Sequence, residues 1–474
     1  MLVFEGPPPR QEELVDHIES RLGLVPRYRQ KVVDPRFEMG RPVWIDDPRF
    51  NVEYHVRDTA LPPPGSVDQL RILAGRVFSQ RLDRSKPLWE MWLVQGLRDN
   101  RFALISKVHH CLVDGVSGVD LTTVLFDLSP HPGPPAGPVE PWIPSPEPSA
   151  ADLVAKGVTD LVKAPLSLAG RAVAAAASPV RTVQSVREAA EGVGEVAWDI
   201  VSGAPSTPLN QPIGPHRRLE WVNLELADLK AIKNALGGTV NDVFLAVVSG
   251  ALGRWLRLRG QPTEGLELRG AVPVSIRGED EHGEPGNRIT LMVAPLPVYA
   301  DDPVERLGIV TEAMRDLKES KQALGAEVIA GLQDFAPPTL FARASRLNFS
   351  TRVYNLLVTN VPGPQFPLYL LGHELQEVIP VAFLAPSQRL AIAIMSYHGR
   401  MDIGLIGDYD AMDDLDLIGG YLEDSVAELL EAAKPRRGKR RRRAGSGTAR
   451  NGSRQGASAP SRRSRNSLRP RPPV

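Results

Sequence analysis

Two adjacent histidines at the end of an apolar run are the residues of this chain best suited to chemistry. The stretch reads SKVHHCLVDGVSG, which places the pair at His109 and His110. Cys111, Asp114 and Gly115 follow them. A neutral imidazole can bind a metal ion, accept a proton from a hydroxyl group, or make a hydrogen bond inside the core. The neighbouring residues decide among a metal site, a general base and the polar end of a buried strand.

A metal site is the least supported of these alternatives. Successive side chains on a strand point to opposite faces, so His109 and His110 are not expected to bind one ion together. The chain has a single cysteine and no His-x-x-x-His spacing, so the usual further ligands of a zinc site are missing from the sequence. We therefore expect no metal ion at the histidine pair.

A histidine of near-neutral pKa can instead take the proton of an alcohol that attacks a carbonyl group. No serine nucleophile accompanies it, since the chain has no G-x-S-x-G sequence. Cys111 should point away from His110 on a strand, which disfavours a Cys–His nucleophile. Asp114 could orient the imidazole, as in a catalytic triad, or it could pair with an arginine and brace the turn. Both interpretations of Asp114 remain open on the residues alone.

Predicted strands and a helix hold the histidines. RFALISKVHH has the pattern of a strand, and the polar turn RDN joins it in a hairpin to the strand PLWEMWLVQGL. Trp89 and Trp92 of that strand are expected to pack in the core. The tight turn DGVSG follows the histidines and starts a helix over 116–128. Because polar residues at a strand-to-helix junction commonly line a cleft, one histidine should face a cleft.

The same alternation of strands and helices continues on both sides of the hairpin. Upstream we predict strands at LVFEG and VEYHVRDTAL and helices over 10–22 and at VDQLRILAGRVFSQRL. Downstream we predict several strands, ELQEVIPVAFL among them. The downstream helices are predicted at TVNDVFLAVVSGALGRWLRLRG, over 303–348 and over 414–433. The chain is therefore predicted to be an α/β protein.

Composition divides the chain into four parts. Residues 1–128 form one α/β half, and residues 216–434 form another. Residues 129–215 begin with a proline-rich linker and continue as helices rich in Ala, Val and Leu. We expect these helices to pack across the two halves, with a lipid-facing amphipathic surface as the alternative. Residues 435–474 cannot bury a core and are predicted to be disordered.

The formal net charge of zero hides two parts of opposite charge. Residues 435–474 hold 14 of the 56 Lys+Arg and none of the 56 Asp+Glu, which leaves 42 − 56 = −14 on residues 1–434. A basic tail can adhere to anionic lipid headgroups or to nucleic acid by charge alone. It can also keep the protein in solution or fold back on the acidic body. We favour a lipid surface and no specific nucleic acid.

The sequence also indicates the cellular compartment in which the protein is expected to lie. One cysteine excludes an intramolecular disulfide and fits a reducing cytosol. No apolar signal segment is visible near Met1, and no run approaches the roughly 18 apolar residues that cross a bilayer. The protein is therefore expected to be cytoplasmic and to touch a membrane without spanning it.

HHCLVDG matches the HHxxxDG signature of the CoA-dependent acyltransferase superfamily, and five other blocks narrow the resemblance. They are PLWEMWLVQGL at 87–97, NDVFLAVVSGALGRWL at 241–256, VPVSIRG at 272–278, GNRI at 286–289 and TNVPGP at 359–364. Together they resemble the bacterial wax ester synthase/diacylglycerol acyltransferase family (WS/DGAT) across 1–434. Two features depart from its pattern. Members usually begin with a further segment before the first strand, and the DFGWG motif of the wider superfamily is absent.

The resemblance implies an α/β fold of two chloramphenicol-acetyltransferase-like subdomains with mixed sheets. A long Pro/Ala-rich helical linker would join them, with the active site in a tunnel between the halves. It implies that His110 is the general base. His110 would deprotonate the hydroxyl of diacylglycerol or a long-chain alcohol, which attacks the thioester of acyl-CoA. No acyl-enzyme and no cofactor is expected.

The same resemblance assigns the neighbours of His110. His109 supports the base, and Gly115 allows a tight turn and close approach of substrate. Asp114 becomes a structural anchor paired with Arg29, with Arg277 as the second choice of partner.

Two asparagines in the matching blocks are further candidates. Asn360 and Asn241 can support the site or its developing oxyanion. Asparagine also caps turns and helices, and Asn241 lies near a predicted helix start, so a purely structural role is the alternative.

The function that the resemblance implies is triacylglycerol formation from acyl-CoA and 1,2-diacylglycerol, with wax esters as further products. The protein would lie at the inner face of the plasma membrane or on lipid inclusions. Two alternatives remain open. One is an impaired homologue that binds lipid surfaces, and the other is an acyltransferase of a secondary metabolite.

Overall fold

The alternating segments form fourteen strands and eight helices in the part of the chain that the structure describes. This computed structural model describes residues 1–34, 42–113, 124–131, 142–149, 203–275, 289–319 and 353–434, all of them within the compact unit Met1–Lys434. The strands are β1 (Leu2–Glu5), β2 (Gln30–Val33), β3 (Val43–Asp46), β4 (Val56–Ala60), β5 (Trp89–Leu97), β6 (Arg101–Val108), β7 (Arg217–Glu225), β8 (Leu268–Ser275), β9 (Ile289–Leu296), β10 (Leu356–Pro362), β11 (Tyr369–Leu370), β12 (His373–Val378), β13 (Leu390–Tyr397) and β14 (Arg400–Asp408). The helices are α1 (Gln11–Arg21), α2 (Val52–His55), α3 (Val67–Ser79), α4 (His110–Val113), α5 (Leu226–Leu236), α6 (Val240–Leu258), α7 (Pro303–Glu319) and α8 (Leu415–Ala433).

The first sheet is mixed and contains the predicted hairpin. Its order is β11-β12-β1-β6-β5-β4, with β4 parallel to β5 and the remaining pairs antiparallel. The turn between β5 and β6 places Asp99 at φ 64° and Asn100 at φ 52°. Positive φ at two successive positions suits the twist of a tight hairpin, and Asp and Asn tolerate it well. The RDN turn is therefore confirmed.

Residues from late in the chain complete this first sheet. β12 pairs with β1 in antiparallel register, with Leu2 opposite Val378. ELQEVIPVAFL is predicted as one strand of the C-terminal half, but the strand ends at Val378 and belongs to the first sheet. An unpaired edge of β1 would leave its backbone groups without partners, and β12 supplies them. The two halves are thus interlocked by a crossover that no local pattern reveals.

The second sheet is also mixed. Its order is β7-β14-β13-β10-β8-β9, with parallel pairs on both sides of β10 and antiparallel pairs elsewhere. The predicted helix at 239–260 is confirmed as α6, which is buried along most of its length in the largest core cluster. A helix that is apolar on all sides is expected in such a central position.

Helix α3 packs between the two sheets. Leu70 and Ala74 lie in one apolar cluster with Ala103 of β6 and with Leu219 and Trp221 of β7. α3 begins with a capping box at Ser66, whose hydroxyl accepts from the backbone N–H of Gln69. The helix that leads into the histidine hairpin therefore also contacts the second half.

One predicted strand is partly wrong. VEYHVRDTAL was expected to be extended throughout, but Val52–His55 forms a helical turn and only Val56–Ala60 is a strand. The side chain of Asn51 accepts from the backbone N–H of Glu53 and caps the turn. This local hydrogen bond competes with the extended conformation, which alternation of side chains cannot reveal.

Several predicted segments lie wholly or mostly outside the described residues. They include the helix over 116–128, the later part of the helix over 303–348, most of the linker 129–215 and the tail 435–474. Among the described helices none alone is long and apolar enough to cross a membrane; α5 and α6 pass that test of length and composition only as a pair bent by 99°.

A buried ion pair fixes the end of β6. Lys107 and Glu90 face each other across the β5–β6 ladder and form an ion pair. The ammonium of Lys107 also donates to the carbonyls of Val77 and Gln80, at 3.0 Å each. Three acceptors satisfy the three ammonium protons, which compensates for burying the charge.

We predict that Lys107→Met lowers the free energy of unfolding by about 3 kcal/mol, because it leaves buried Glu90 with only the partly exposed Arg57, at 3.2 Å, as an ion-pair partner. Urea unfolding should show this loss, and the double variant Lys107→Met with Glu90→Gln should recover part of it. The control is Arg10→Ala, which removes an exposed ion pair with Glu13 and should leave the free energy of unfolding nearly unchanged. A single variant as stable as the control would contradict the prediction.

His55 is a second buried polar group beneath the hairpin. Its ring stacks between Phe50 and Trp89, at centroid distances of 5.3 and 4.6 Å. Its Nδ1 lies 2.7 Å from the carbonyl oxygen of Trp89. Burial lowers the pKa of His55, and the charge of Lys86 lowers it further, against the opposing hydrogen bond to Trp89. His55 is therefore neutral in the folded protein at neutral pH.

We predict that the urea midpoint falls as the pH drops below the ordinary histidine pKa of about 6.5, because the unfolded chain then binds a proton that folded His55 rejects. His55→Phe keeps the ring stack and should flatten this pH dependence, at some loss of stability at every pH. The control His131→Ala removes an exposed histidine and should keep the wild-type slope. An unchanged slope in His55→Phe would contradict the assignment.

Candidate active site

The histidine pair sits at the junction between β6 and α4. β6 ends at Val108, and the backbone N–H of His109 donates to the carbonyl of Leu88 at 2.9 Å. His110 is the first residue of α4. The premise that both histidines lie on a strand is therefore wrong, and the alternation argument against a shared metal ion falls with it. Across the described ranges, no three His, Cys, Asp or Glu side chains cluster as metal ligands.

His110 presents its ring to solvent next to Phe383. The ring centroids are 6.4 Å apart with an interplanar angle of 40°, and Phe383 is 45% exposed. Phe383 lies on the segment 379–389, which carries the chain from β12 of the first sheet to β13 of the second. An exposed imidazole beside an exposed apolar ring can meet a substrate that has an apolar body and a polar reacting group.

His109 contacts the following turn. Its Nδ1 lies 3.0 Å from Sγ of Cys111 and accepts the backbone N–H of Cys111 at 3.3 Å. The structure therefore has a Cys–His contact, but it joins Cys111 to His109, whereas the sequence analysis weighed Cys111 as a partner of His110. Partial burial lowers the pKa of His109, and the positive charges of Arg84 and His110 add to that effect. His109 is a neutral acceptor that holds the turn.

Asn360 and Asn241, the two asparagine candidates, contact each other. Nδ2 of Asn360 on β10 donates to Oδ1 of Asn241 on α6 at 3.1 Å. Asn241 does not cap the helix, because Thr239 and Asp242 form the capping box. Each amide carries two N–H donors, so the pair retains donors beyond the bond between them.

Arg29 is buried at the end of a short 3-10 turn, Pro26–Arg29, and is 8% exposed. Its guanidinium lies over the ring of Trp142 at 5.2 Å. Burial lowers the pKa of Arg29, and the charge of Glu19 opposes this shift. Asp114, Gly115 and Arg277 lie outside the described residues. The pairing of Arg29 with Asp114 therefore stays a prediction.

The tryptophans of PLWEMW differ in burial. Trp89 is 1% exposed and donates its indole N–H to the carbonyl of Tyr28 at 2.8 Å, so the core role predicted for it is confirmed. Trp92 is only partly buried, and the guanidinium of Arg57 covers its ring at 5.0 Å.

The sequence did not single out three features of the site. Phe383 gave no signal, because one aromatic residue in an apolar run is ordinary. The ion pair of Lys107 and Glu90 required knowledge of the strand register. The run RLDRSK before PLW carries a usable signal, three cations within six residues.

Family models match most of the chain. The wax ester synthase/diacylglycerol acyltransferase catalytic domain matches residues 2–244, and the WS/DGAT C-terminal domain matches residues 285–430. A protein of Mycobacterium tuberculosis H37Rv named as a probable diacylglycerol O-acyltransferase, tgs1, is 32% identical over 450 residues, which cover 93% of each chain. A putative diacylglycerol O-acyltransferase of the same organism is 31% identical over 430 residues, covering 88% of this chain and 82% of the relative.

Solved structures share the architecture. The wax ester synthase/diacylglycerol acyltransferase of Marinobacter aquaeolei VT8 superposes with a TM-score of 0.64 at 26% identity, covering 91% of this chain and 93% of that one. A trichothecene 15-O-acetyltransferase of Fusarium sporotrichioides has a TM-score of 0.55 at 14% identity, covering 91% and 89%, and supports the fold alone. The two mixed sheets are thus those of the chloramphenicol-acetyltransferase-like and condensation-domain fold. With both family models matched, the chain belongs to the wax ester synthase/diacylglycerol acyltransferase family of acyltransferases.

Proposed function

We propose that this acyltransferase moves the acyl group of acyl-CoA to the free hydroxyl of 1,2-diacylglycerol and forms triacylglycerol, with long-chain alcohols as alternative acceptors that give wax esters. The observation that carries the proposal is the exposed His110 at the strand–helix junction, beside Phe383, in a chain whose relatives carry the name diacylglycerol O-acyltransferase. Both acceptors present a hydroxyl on an apolar body, so one imidazole serves either.

His110 acts as general base in the proposed mechanism. The imidazole takes the proton of the acceptor hydroxyl while its oxygen attacks the thioester carbonyl carbon. The tetrahedral intermediate then breaks its C–S bond, and the imidazolium gives the proton to the departing CoA thiolate. The ester forms, CoA leaves as a thiol and His110 returns to its neutral state. No enzyme nucleophile and no cofactor is needed.

The surrounding residues take supporting roles in this mechanism. His109 holds the turn through Cys111. Asp114 and Arg29 brace the segment after it, and Gly115 gives room for substrate. The amides of Asn360 and Asn241 supply donors for the oxyanion of the tetrahedral intermediate, which would be strongest where water is excluded. The tunnel between the halves remains part of this proposal.

We also propose the division of the chain into four parts, with Tyr369–Val378 added to the first α/β half because these residues complete its sheet.

Peripheral contact with the inner face of the plasma membrane or with lipid inclusions is proposed from charge. Residues 435–474 carry 14 cations and no anion, a composition that suits an anionic lipid surface.

We predict that His110→Ala lowers kcat by a factor of about 10² to 10⁴, since the general base is lost. The assay supplies labelled palmitoyl-CoA with diacylglycerol or hexadecanol and measures the ester formed. His131→Ala, an exposed histidine elsewhere in the chain, is the matched control and should retain wild-type activity. A wild-type protein that acylates neither acceptor would overturn the proposed function, and an active His110→Ala would overturn the mechanism.

We predict that Asn360→Ala lowers kcat by about 10²-fold with little change in KM, because an oxyanion donor acts in the transition state. Asn241→Ala should have a similar but smaller effect, and Asn234→Ala, an exposed residue of α5, is the control. Circular dichroism and urea unfolding should show that the variants stay folded. A change in KM or stability without a change in kcat would assign the asparagine pair a structural role.

A further inference from the structure

Three cations next to the histidine pair take no part in the proposed mechanism. Arg81, Arg84 and Lys86 lie on the connection from α3 to β5, residues 80–88, together with one anion, Asp83. We call this connection the basic loop. Its cations stand out because residues 1–434 as a whole carry a net charge of −14.

Both ends of the basic loop are tied to β6 at the histidines. At one end, the carbonyl of Gln80 accepts from the ammonium of Lys107 at 3.0 Å. At the other end, the carbonyl of Leu88 accepts the backbone N–H of His109 at 2.9 Å. The base of the loop is therefore fixed directly beside the catalytic junction.

The tip of the basic loop is also held. Oδ1 of Asp83 accepts the backbone N–H of Ser85 at 2.9 Å and its hydroxyl at 2.8 Å. The backbone N–H of Lys86 donates to the carbonyl of Asp83 at 3.2 Å. The only anion of the loop is thus engaged by the loop itself, and the cations are presented on a preorganised turn.

The cations of the basic loop are incompletely neutralised. Arg84 lies 3.6 Å from Asp34, and both side chains are largely exposed. Within the described residues no carboxylate lies within 4.0 Å of Arg81 or Lys86. Lys86 instead lies over the ring of Tyr54 at 4.4 Å. An exposed site with excess positive charge favours an anionic ligand.

We propose that the basic loop binds the phosphate groups of acyl-CoA, while the thioester reaches His110 from the base of the loop. This rests on the proposed function. CoA carries its pyrophosphate and its 3′-phosphate at the opposite end of the pantetheine arm from the thioester. The basic loop is fixed at the histidines and carries its cations out to its exposed tip. The order from histidines to cations along the loop therefore matches the order from thioester to phosphates along CoA. Arginine is also the preferred residue for phosphate, through paired hydrogen bonds.

Anionic lipid headgroups present similar phosphate chemistry. We assign the loop to CoA because its two ends are fixed at the catalytic histidines, where a substrate must bind in every turnover.

The test compares acyl donors with and without phosphates. Wild type and the variant Arg81→Ala/Arg84→Ala/Lys86→Ala receive palmitoyl-CoA or palmitoyl-pantetheine, with diacylglycerol as acceptor. We expect the variant to raise KM for palmitoyl-CoA at least roughly tenfold, with kcat nearly unchanged and with no change in KM for palmitoyl-pantetheine. Calorimetry with CoA and dephospho-CoA should show weaker binding to the variant, independently of turnover.

The matched control removes three exposed cations from another part of the surface, Lys230→Ala/Arg315→Ala/Lys318→Ala. It changes the net charge by the same amount and should leave both KM values unchanged. A second arm measures binding to vesicles that contain phosphatidylglycerol.

Three other outcomes would each overturn the inference that the basic loop binds the phosphates of CoA. Equal increases in KM for both donors would mean that the loop only supports the fold. Weaker vesicle binding with unchanged KM would assign the loop to a lipid surface. No effect in any arm would leave it an ordinary solvated loop. Failure of wild type to acylate diacylglycerol from either donor would instead contradict the proposed function, while calorimetry with CoA would still test the loop.

Discussion

The buried ammonium of Lys107 is the constraint on which the geometry of the site depends. A buried cation needs acceptors, and Lys107 takes three from two elements: Glu90 of β5 and the carbonyls of Val77 and Gln80 at the end of α3. Two residues later, His109 bonds to Leu88 and ends the strand. These bonds therefore fix the register of β5 with β6, the end of α3 and the base of the basic loop together. The histidine junction can move little relative to these elements.

The same frame extends to the second sheet through α3. The backbone N–H of Arg217, the first residue of β7, donates to the hydroxyl of Ser79 at 2.8 Å. Arg71 of α3 forms an ion pair with Glu220 and lies over the ring of Trp221. A second connection is the crossover of β12, after which the segment bearing Phe383 passes His110. The asparagine pair, in turn, joins β10 to the start of α6.

Sequence patterns predicted those parts of the fold that depend on interactions between residues close together in the chain. The hairpin and the apolar helix α6 follow from alternation, turn residues and helical spacing. The helical turns at His55 and His110 were missed because local hydrogen bonds, from Glu53 to the side chain of Asn51 and from Leu112 to the carbonyl of His109, override alternation. The place of β12 was missed because strand pairing across more than 370 residues depends on which edge is free, as Leu2 opposite Val378 shows. The partner of Asp114 could be inferred only from the family.

Charge beside the histidines links the basic loop to His109, the residue that supports the proposed base. The positive charge of Arg84 lowers the pKa of His109, after the larger effect of burial, and His110 adds to it. Two adjacent imidazoles repel a second proton, so His109 stays neutral when His110 is protonated in the proposed mechanism. Phosphates bound at the basic loop would neutralise Arg84 and weaken its effect on the pKa of His109. On the proposed assignment, the bound donor would thus make His109 a better acceptor for the backbone N–H of Cys111, and the departure of CoA would reverse that effect.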